Sequence, residues 1–502
     1  MALRVYNTLT RQKEDFQTVQ PGKVNMYLCG PTVYKPSHVG HMDGPVIFDT
    51  VKRFLTYLGY QVAFVVNITD VDDKLIAQSA KENTTVTELA ERITRDYCKS
   101  IEMLGVTGID HMPRATHHVA EMIAFVAGLI EKGFAYPADG DVYFDISKDH
   151  DYGKLCNRDP AQLEAGARIE VSDKKRNPGD FALWKGSKPG EPAWDSPWGP
   201  GRPGWHIECS AMSMKLLGET LDIHGGGLDL QFPHHENELA QSESYADQTF
   251  ARYWMHNGLL TMGKAKMAGS VGNVVNIADL LQKHSAETVR FLILSTHYRS
   301  PIEYGEERLA EVKRSLESFY RFFERYQRIT GNSFFQIEVP PTFKAELKKA
   351  IEQLVDPQLD TTGLGAEVPT RLARNFFDAM NDDFNTAAAI AVLYGFVATL
   401  NQIAETHKLE EHDRDPNAVE YFHSFAIHLR ALSQVLGLFD APVGKRGDND
   451  AVLNGLMQLL IDLRADARKA KNFALGDQIR KRLGELGITL EDRAGGTGWR
   501  LG

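Results

Sequence analysis

The chain has 502 residues, 43% of them apolar and 25% charged, a formal net charge of −11 and four cysteines. At about 150 residues per domain this length predicts three domains or slightly more, and the composition excludes a disordered chain, a collagen-like fibre and a disulfide scaffold. The acidic balance excludes a uniformly basic nucleic-acid binder, although not a local basic surface.

No targeting or membrane-spanning pattern is visible in the sequence. Residues 1–20 carry charges throughout and lack the apolar stretch of a secretory signal. The longest apolar run, residues 122–130, contains Gly128 and is far shorter than the roughly 20 residues of a membrane span. Because the four cysteines (Cys29, Cys98, Cys156 and Cys209) are too widely spaced for a disulfide framework, we expect a reducing, cytoplasmic location.

The first half of the chain alternates short apolar runs with helical patterns. Residues 24–28 and 61–68 are predicted strands, and residues 45–58 and 117–132 carry apolar side chains at helical spacing. This strand–helix–strand order predicts an α/β fold built on a parallel, doubly wound sheet.

Changes in composition divide the chain into segments. Glycine, proline and charge increase over residues 136–203, which we interpret as an insertion between two halves of the sheet domain, residues 1–135 and 204–285. Residues 286–440 are almost wholly helical in pattern, and amphipathic helices are predicted over 312–328 and 372–400. A linker at residues 441–444 precedes a small tail domain, residues 444–502.

Two strings in the sheet domain have the character of phosphate sites. Residues 31–41 contain His38, Gly40 and His41 at the predicted start of a helix, where free N–H groups and the helix dipole suit a phosphate. Residues 263–273 form a loop with Lys264 and Lys266, whose charges could stabilise a phosphate during displacement. Surface histidines and a solvated loop are the alternative interpretations.

Cys29, Cys209, His234 and Glu238 are residues of the types that bind zinc in tetrahedral sites. His234 and Glu238 are four residues apart and therefore share one face of a helix. Cys29 ends the first predicted strand of the sheet, and strand ends of a doubly wound sheet converge at one crevice. Buried cysteines beside an ordinary helical pair would give the same pattern.

The tail reverses the charge of the chain. Residues 443–502 contain eleven Lys or Arg and eight Asp or Glu. Arg464, Arg468 and Lys471 have the spacing of one helix face, and Arg480 and Trp499 add charge and an aromatic ring. Such a surface suits nucleic acid, where phosphates provide affinity and rings stack on unpaired bases. A solvated charged face is the alternative.

Taken together and in this order, the strings resemble the cysteinyl-tRNA synthetase family over nearly the whole chain. The string with His38 and His41 resembles that family's H-I-G-H motif, with Val39 in place of isoleucine. Further family strings are resembled by residues 67–74, 204–210, 222–230, 233–238, 379–386 and 497–500. The resemblance implies a class I Rossmann-type catalytic domain with an insertion, a helical domain and a small C-terminal anticodon-binding domain.

The resemblance also implies a reaction and its residues. A cytoplasmic monomer would activate cysteine with ATP and Mg²⁺ to cysteinyl-adenylate and transfer it to the 3′ end of tRNA-Cys. One zinc ion, structural and also binding the substrate thiolate, would be held by Cys29, Cys209, His234 and Glu238. ATP would contact His38, Gly40, His41, Asp229, Lys266 and Ser270, cysteine would contact Thr69, Trp205 and His224, and tRNA would contact Arg464, Arg468, Lys471, Arg480 and Trp499.

One motif departs from the family. K-M-S-K-S reads Lys266-Met267-Ala268-Gly269-Ser270 here, so that Gly269 replaces the lysine to which the resemblance assigns transition-state stabilisation. Loss of one such charge costs about 10²–10³ in rate unless Lys264 or Lys266 takes over. A working synthetase is favoured. A related ligase joining cysteine to an amino sugar, which would lack the tail domain, and a non-catalytic cysteine- or tRNA-binding protein are the alternatives.

Overall fold

The computed structural model describes residues 2–157, 173–262, 265–266, 274–354, 367–442, 449–493 and 496–501. Its strands are β1 (Arg4–Asn7), β2 (Gln12–Asp15), β3 (Lys23–Leu28), β4 (Gln61–Val66), β5 (Ala135–Ala138), β6 (Asp141–Phe144), β7 (Phe181–Gly186), β8 (Gly201–Pro203), β9 (Leu221–Gly227), β10 (Ala251–Asn257), β11 (Leu260–Met262), β12 (Ala265–Lys266), β13 (Ile302–Tyr304), β14 (Ile488–Arg493) and β15 (Gly496–Leu501). Its α-helices are α1 (Asp43–Leu58), α2 (Asp73–Glu82), α3 (Val86–Met103), α4 (Val119–Glu131), α5 (Trp205–Leu217), α6 (Glu236–Ala246), α7 (Ile277–Lys283), α8 (Ala286–Leu294), α9 (Glu306–Thr330), α10 (Phe343–Glu352), α11 (Val368–Asn381), α12 (Thr386–Thr406), α13 (Pro416–Val435), α14 (Asn449–Lys469) and α15 (Phe473–Glu485).

Four parallel strands form the central sheet, in the order β10-β9-β3-β4. The apolar residues of β3 are buried because a parallel sheet is covered on both faces, and α1 packs Phe48 and Val51 into the same core. Since β3, the earliest strand, has β4 on one side and β9 on the other, the chain winds in both directions from it. This order confirms the predicted doubly wound sheet and opens a crevice at the strands' carboxyl ends.

The predicted elements of the sheet domain agree with the structure to within two residues at each end, with one difference. His41 does not lie in the first α-helix. Val39–His41 form a separate 3-10 turn, and α1 begins afterwards at Asp43. The free N–H groups near His38 and His41 therefore come from this 3-10 turn and from the start of α1.

The insertion has a fold of its own. An antiparallel sheet with the order β5-β6-β7-β8 occupies this part of the chain, for which the sequence analysis predicted an insertion without assigning its strands. Val142, Leu183 and Trp184 are buried beneath it and pack with α4 and α5 in a core separate from that of β3 and α1. The sheet thereby forms a wall beside the crevice.

The helix predicted over residues 372–400 is wrong as a single element. It is two helices, α11 and α12, with a break after Asn381 in which Asp383 and Phe384 have φ of +64° and +50°. The buried Asp383 carboxylate accepts hydrogen bonds from the Tyr6 N–H (2.8 Å), the Tyr298 hydroxyl (2.8 Å) and Arg299 Nε (2.7 Å). These three bonds, which come from two distant segments of the chain, stabilise the break, and helical periodicity does not reveal them.

The helical region packs around long amphipathic helices. Helix α9 buries one face through residues such as Leu316, Phe319 and Phe323. Helix α12 is apolar and long enough to cross a membrane, but half of its most apolar window is buried among neighbouring helices. Leu393 and Phe396 on that helix are fully buried, which is the pattern of a core helix.

The tail is a small α/β unit in which α14 and α15 pack on the β14–β15 hairpin around Ile461, Leu483 and Leu490. The basic face predicted from Arg464, Arg468 and Lys471 is wrong. Arg464 is only 3% exposed, and its two terminal nitrogens bond to the Asp492 carboxylate at 2.7 and 2.8 Å. Lys471 lies beyond the end of α14 with φ of +61°. Arg468 stays partly exposed on α14, 4.0 Å from the same carboxylate, so that burial removes Arg464 from the predicted surface and the helix end removes Lys471 from the predicted helix face.

Candidate metal centre and active site

The candidate site lies at the carboxyl ends of the parallel strands. Cys29 directly follows β3, and its N–H donates to the carbonyl oxygen of Gly225 on β9 (3.0 Å). Cys209 lies on α5, while His234 and Glu238 lie just before and just inside the first turn of α6. Residues that are far apart in sequence thus meet at one crevice, as expected for a doubly wound sheet.

The four predicted metal ligands come together, with their ligand atoms within 4.8 Å of one another. Cys29 Sγ is 3.6 Å from Cys209 Sγ and 3.3 Å from Glu238 Oε1, and Cys209 Sγ is 3.7 Å from His234 Nε2. Tetrahedral zinc bonds of about 2.0–2.3 Å place ligand atoms roughly 3.3–3.8 Å apart. These separations fit zinc, whereas His234 Nε2 and Glu238 Oε1, at 2.8 Å, are at hydrogen-bonding distance.

Burial and mutual charge shift the pKa values of the four ligands. Burial, followed by Cys209, raises the pKa of the Cys29 thiol well above its usual value. Burial would also raise the pKa of Cys209, but its hydrogen bonds with Cys29 and His234 lower it to about 7. Burial lowers the pKa of His234, but Glu238 and Cys209 together raise it to about 10, and the pKa of Glu238 is well below its usual value although burial would raise it. A protonated His234 therefore balances the Glu238 carboxylate, and a bound cation would replace that proton.

A second set of possible ligands overlaps the first. Cys29, His224, His235 and Glu238 also lie within 4.8 Å of one another. In this set, however, His224 Nε2 is 2.9 Å from Glu238 Oε2, and His235 Nε2 is 3.3 Å from Cys29 Sγ. Because the other set offers two thiolates, which zinc prefers, we interpret His224 and His235 as outer contacts to the ligands.

His206 and His235 are site residues that the sequence analysis did not identify. His206 Nδ1 lies 3.0 Å from His234 Nδ1, so that Nε2 of His234 is the nitrogen that faces Cys209. Such contacts orient metal ligands. Each of the two histidines adjoins a residue already assigned to the site, but adjacency along the chain does not show that a side chain points into it.

Of the predicted cysteine-pocket residues, Trp205 lines the cavity beside the cluster, whereas Thr69 and His224 are buried behind its wall. The Trp205 ring stacks on the His234 ring with centroids 4.2 Å apart, and the Thr69 hydroxyl donates to Glu208 Oε2 (2.7 Å). Burial raises the pKa of Glu208 well above its usual range. A cavity of about 440 Å³, lined by Trp205, Glu208 and residues of the insertion sheet such as Phe181, opens there. Its volume is typical of small-molecule sites.

His38 and His41, the predicted ATP contacts, stack with ring centroids 3.7 Å apart. Burial lowers the pKa of both rings, that of His41 to about 3, so that both are neutral near pH 7. A Cβ atom at Gly40 would lie 3.2 Å from the His38 ring, so glycine also makes room for this stack. The Val39 N–H donates to the Val275 carbonyl oxygen (3.0 Å), which brings the turn against the segment that follows the lysine loop.

The remaining ATP predictions have different outcomes. Asp229 follows β9 in a short 3-10 turn, and a Cβ atom at Gly227 would lie 2.7 Å from its Oδ1; the carboxylate therefore lies over the backbone at the strand end. The backbone of Lys266 belongs to β12, which pairs with β11, and the structure describes only this backbone. Lys264, Gly269 and Ser270 lie outside the described residues.

The catalytic part of the chain matches the family described as tRNA synthetases class I (C) catalytic domain over residues 15–314, and residues 375–440 match the DALR domain. The cysteine–tRNA ligase of Carboxydothermus hydrogenoformans is 43% identical over 99% of this chain and 100% of its own length. That of Geobacter sulfurreducens is 44% identical over 100% of both chains.

Solved structures show the same fold at low sequence identity. A Mycobacterium tuberculosis methionyl-tRNA synthetase bound by methionyl-adenylate has a TM-score of 0.59 and 14% identity, and covers 82% of this chain and 92% of its own. Together with the full-length relatives and the two matching families, this identifies the lineage: the chain belongs to the cysteine–tRNA ligase family of class I tRNA synthetases.

Proposed function

We propose that this protein activates cysteine with ATP and transfers it to the 3′ end of tRNA-Cys. The observation that carries the proposal is the position of a two-cysteine ligand cluster at the ends of β3 and β9, in a chain that resembles cysteine–tRNA ligases over its full length. A cluster of this kind selects for sulfur, and the full-length similarity supports the activated acid and its acceptor.

Recognition of cysteine would depend on the metal ligands. Cys29, Cys209, His234 and Glu238 would hold one zinc ion, which when bound supplies a site that prefers a thiolate to a hydroxyl. Cysteine and serine differ by this one atom, so the discrimination can come from binding without a separate editing site. Trp205, stacked on His234, would form the adjoining wall of the amino-acid pocket.

Activation of cysteine would take place between this pocket and the 3-10 turn that carries His41 and follows His38. A cysteine carboxylate oxygen attacks the α-phosphorus of ATP, and the bond from that phosphorus to the pyrophosphate oxygen breaks. His38 and His41, neutral at pH 7, would donate N–H groups to ATP without an added charge, and Mg²⁺ would accompany the phosphates. Catalysis here is positioning and electrostatic stabilisation, and no side chain acts as a nucleophile.

Transfer to tRNA would use the cavity beside the insertion sheet. A ribose hydroxyl of the terminal nucleotide attacks the activated carbonyl carbon, and AMP leaves. Lys74 and Lys175 line this cavity and supply positive charge for phosphates, and the Lys74 ammonium lies 6.0 Å from the centroid of the Trp205 ring. In the tail, Arg468 and Arg480, which are 45% and 54% exposed beside Asp492, would offer positive charge to tRNA, and Lys471 and the half-buried Trp499 would add to this surface. We expect a cytoplasmic monomer.

The acceptor distinguishes the proposal from the amino-sugar alternative. Purified protein loaded with zinc is incubated with ATP, cysteine and either tRNA-Cys or an amino sugar, and the products are identified by mass spectrometry. We expect cysteinyl-tRNA and no amide of the sugar, because the tail unit of α14, α15 and the β14–β15 hairpin is present. Formation of the sugar amide would contradict the proposal, and the absence of any product would favour a binding protein.

A further inference from the structure

A chain of buried hydrogen bonds leads from Cys29 away from the crevice. His235 Nε2 lies 3.3 Å from Cys29 Sγ, and His235 Nδ1 lies 2.8 Å from His256 Nε2. His256 Nδ1 lies 2.9 Å from the Thr8 hydroxyl oxygen. His235 is fully buried and His256 is 4% exposed. Each nitrogen of the two imidazoles therefore has one hydrogen-bond partner, and the Thr8 hydroxyl is the last group in this series of bonds.

The surrounding structure fixes these side chains. His256 lies on β10, next to β9 in the sheet, and the Thr8 N–H donates to the Trp254 carbonyl oxygen (2.9 Å), which ties the turn after β1 to the same strand. A Cβ atom at Gly226 would lie 2.7 Å from Cε1 of His235. The His235 ring therefore packs directly on the backbone of β9 beside Cys29.

When Cys29 binds a metal, this series of hydrogen bonds can have only one order of donors and acceptors. A metal-bound thiolate has no proton to donate, so His235 must donate from Nε2 to the sulfur. A neutral His235 then accepts at Nδ1, which requires His256 to donate from Nε2, and His256 in turn accepts at Nδ1 from the Thr8 hydroxyl.

We propose that Thr8, His256 and His235 form a positioning relay for Cys29, which holds its sulfur in place and withdraws negative charge from it. This inference rests on the proposed zinc site. Two thiolates and a carboxylate give a zinc site a net negative charge, which weakens its attraction for the thiolate of the substrate. A hydrogen bond to Cys29 Sγ reduces the charge that this sulfur donates to the metal, and such outer contacts commonly change metal affinity or activity by about 10–100-fold.

Thr8→Val tests the relay at its far end, because it removes the hydroxyl without changing the shape of the side chain. Cobalt(II) is added to the metal-free full-length protein, and the sulfur-to-cobalt charge-transfer band is recorded. We expect the band to move to longer wavelength, because a sulfur that accepts a weaker hydrogen bond gives up an electron more easily. The KM for cysteine in pyrophosphate exchange should rise by up to about tenfold, with the KM for ATP unchanged.

Thr8→Ser keeps the hydroxyl and should restore the wild-type band and KM. Thr10→Val is the matched control, since Thr10 lies in the same turn but is exposed and bonds to Glu14 instead. His235→Phe removes the bond to Cys29 directly and should shift the band further. A merely structural role would lower the melting temperature of Thr8→Val without moving the band.

Two results would overturn the relay, and they differ from each other. If the wild-type protein binds cobalt with a thiolate charge-transfer band but Thr8→Val has the same band and the same KM for cysteine, the relay is refuted and the metal site stands. If the wild-type protein shows no thiolate band with cobalt, both the metal site and the relay are refuted. Because Thr8→Val is nearly isosteric, this test does not depend on the folding of His235→Phe.

Discussion

Cys209→Ser is the most direct perturbation of the metal ligands. Cys209 is only 2% exposed, and its Sγ lies 3.6 Å from Cys29 Sγ and 3.7 Å from His234 Nε2. A serine hydroxyl would occupy the same position without creating a cavity. Structural zinc sites bind with about 10–16 kcal/mol. Shared among four ligands, this corresponds to about 3 kcal/mol per ligand, or a loss of about 10²-fold in affinity.

The assay is competition for zinc with a chromophoric chelator, followed by cysteine-dependent pyrophosphate exchange with the zinc-loaded protein. Cys98→Ser and Cys156→Ser are matched controls, because neither thiol belongs to the ligand cluster, and both should retain wild-type zinc affinity. Zinc affinity of Cys209→Ser within threefold of the wild type would refute the assignment of ligands. An equal loss in all three variants would show that the effect is general and not due to the cluster.

Three further predictions concern protons, the tail and the loop. Zinc binding near pH 8 should release about two protons, one from the Cys29 thiol and one from His234, whose pKa is about 10, because Cys209 with a pKa of about 7 is already mostly deprotonated. Zinc affinity should therefore rise with pH between about 7 and 10. Calorimetry in two buffers measures the protons released, and a finding of none would contradict the ligand cluster. Arg464→Met should lower the free energy of unfolding of the tail by about 1–3 kcal/mol, measured by denaturant titration, because this guanidinium is buried in an ion pair. Pyrophosphate exchange should stay unchanged. Reduced exchange at unchanged stability would contradict this structural role. Gly269→Lys should raise pyrophosphate exchange only slightly if another lysine has taken over the missing charge, whereas a rise of about 10³-fold would show that no residue compensates.

The sequence predicted the sheet and its ligands for physical reasons that the structure makes clear. Residues of β3 are apolar because they are buried on both faces, and this makes a central parallel strand recognisable from composition alone. Cys29 and Cys209 were predicted to meet because strand ends converge, and their sulfurs are 3.6 Å apart. These features follow from local sequence and from the topology of one sheet.

Other features depend on contacts between distant segments, and sequence patterns did not show them. The break before α12 is stabilised by bonds to Asp383 from Tyr6 and Tyr298, which lie far away in the sequence. Arg464 had the spacing of an exposed basic face, but a bidentate bond to Asp492 on the hairpin buries it. In both cases tertiary partners, and not periodicity, determine where the side chain lies.

The most direct test of zinc-dependent cysteine activation is cysteine-dependent pyrophosphate exchange by the zinc-loaded, full-length protein, with serine as the competing amino acid. Zinc-dependent activation predicts that exchange with cysteine exceeds exchange with serine by about 10⁴-fold or more and that it is lost when a chelator removes the metal. Exchange that is absent with cysteine, or that survives complete removal of the metal with its selectivity unchanged, would contradict it.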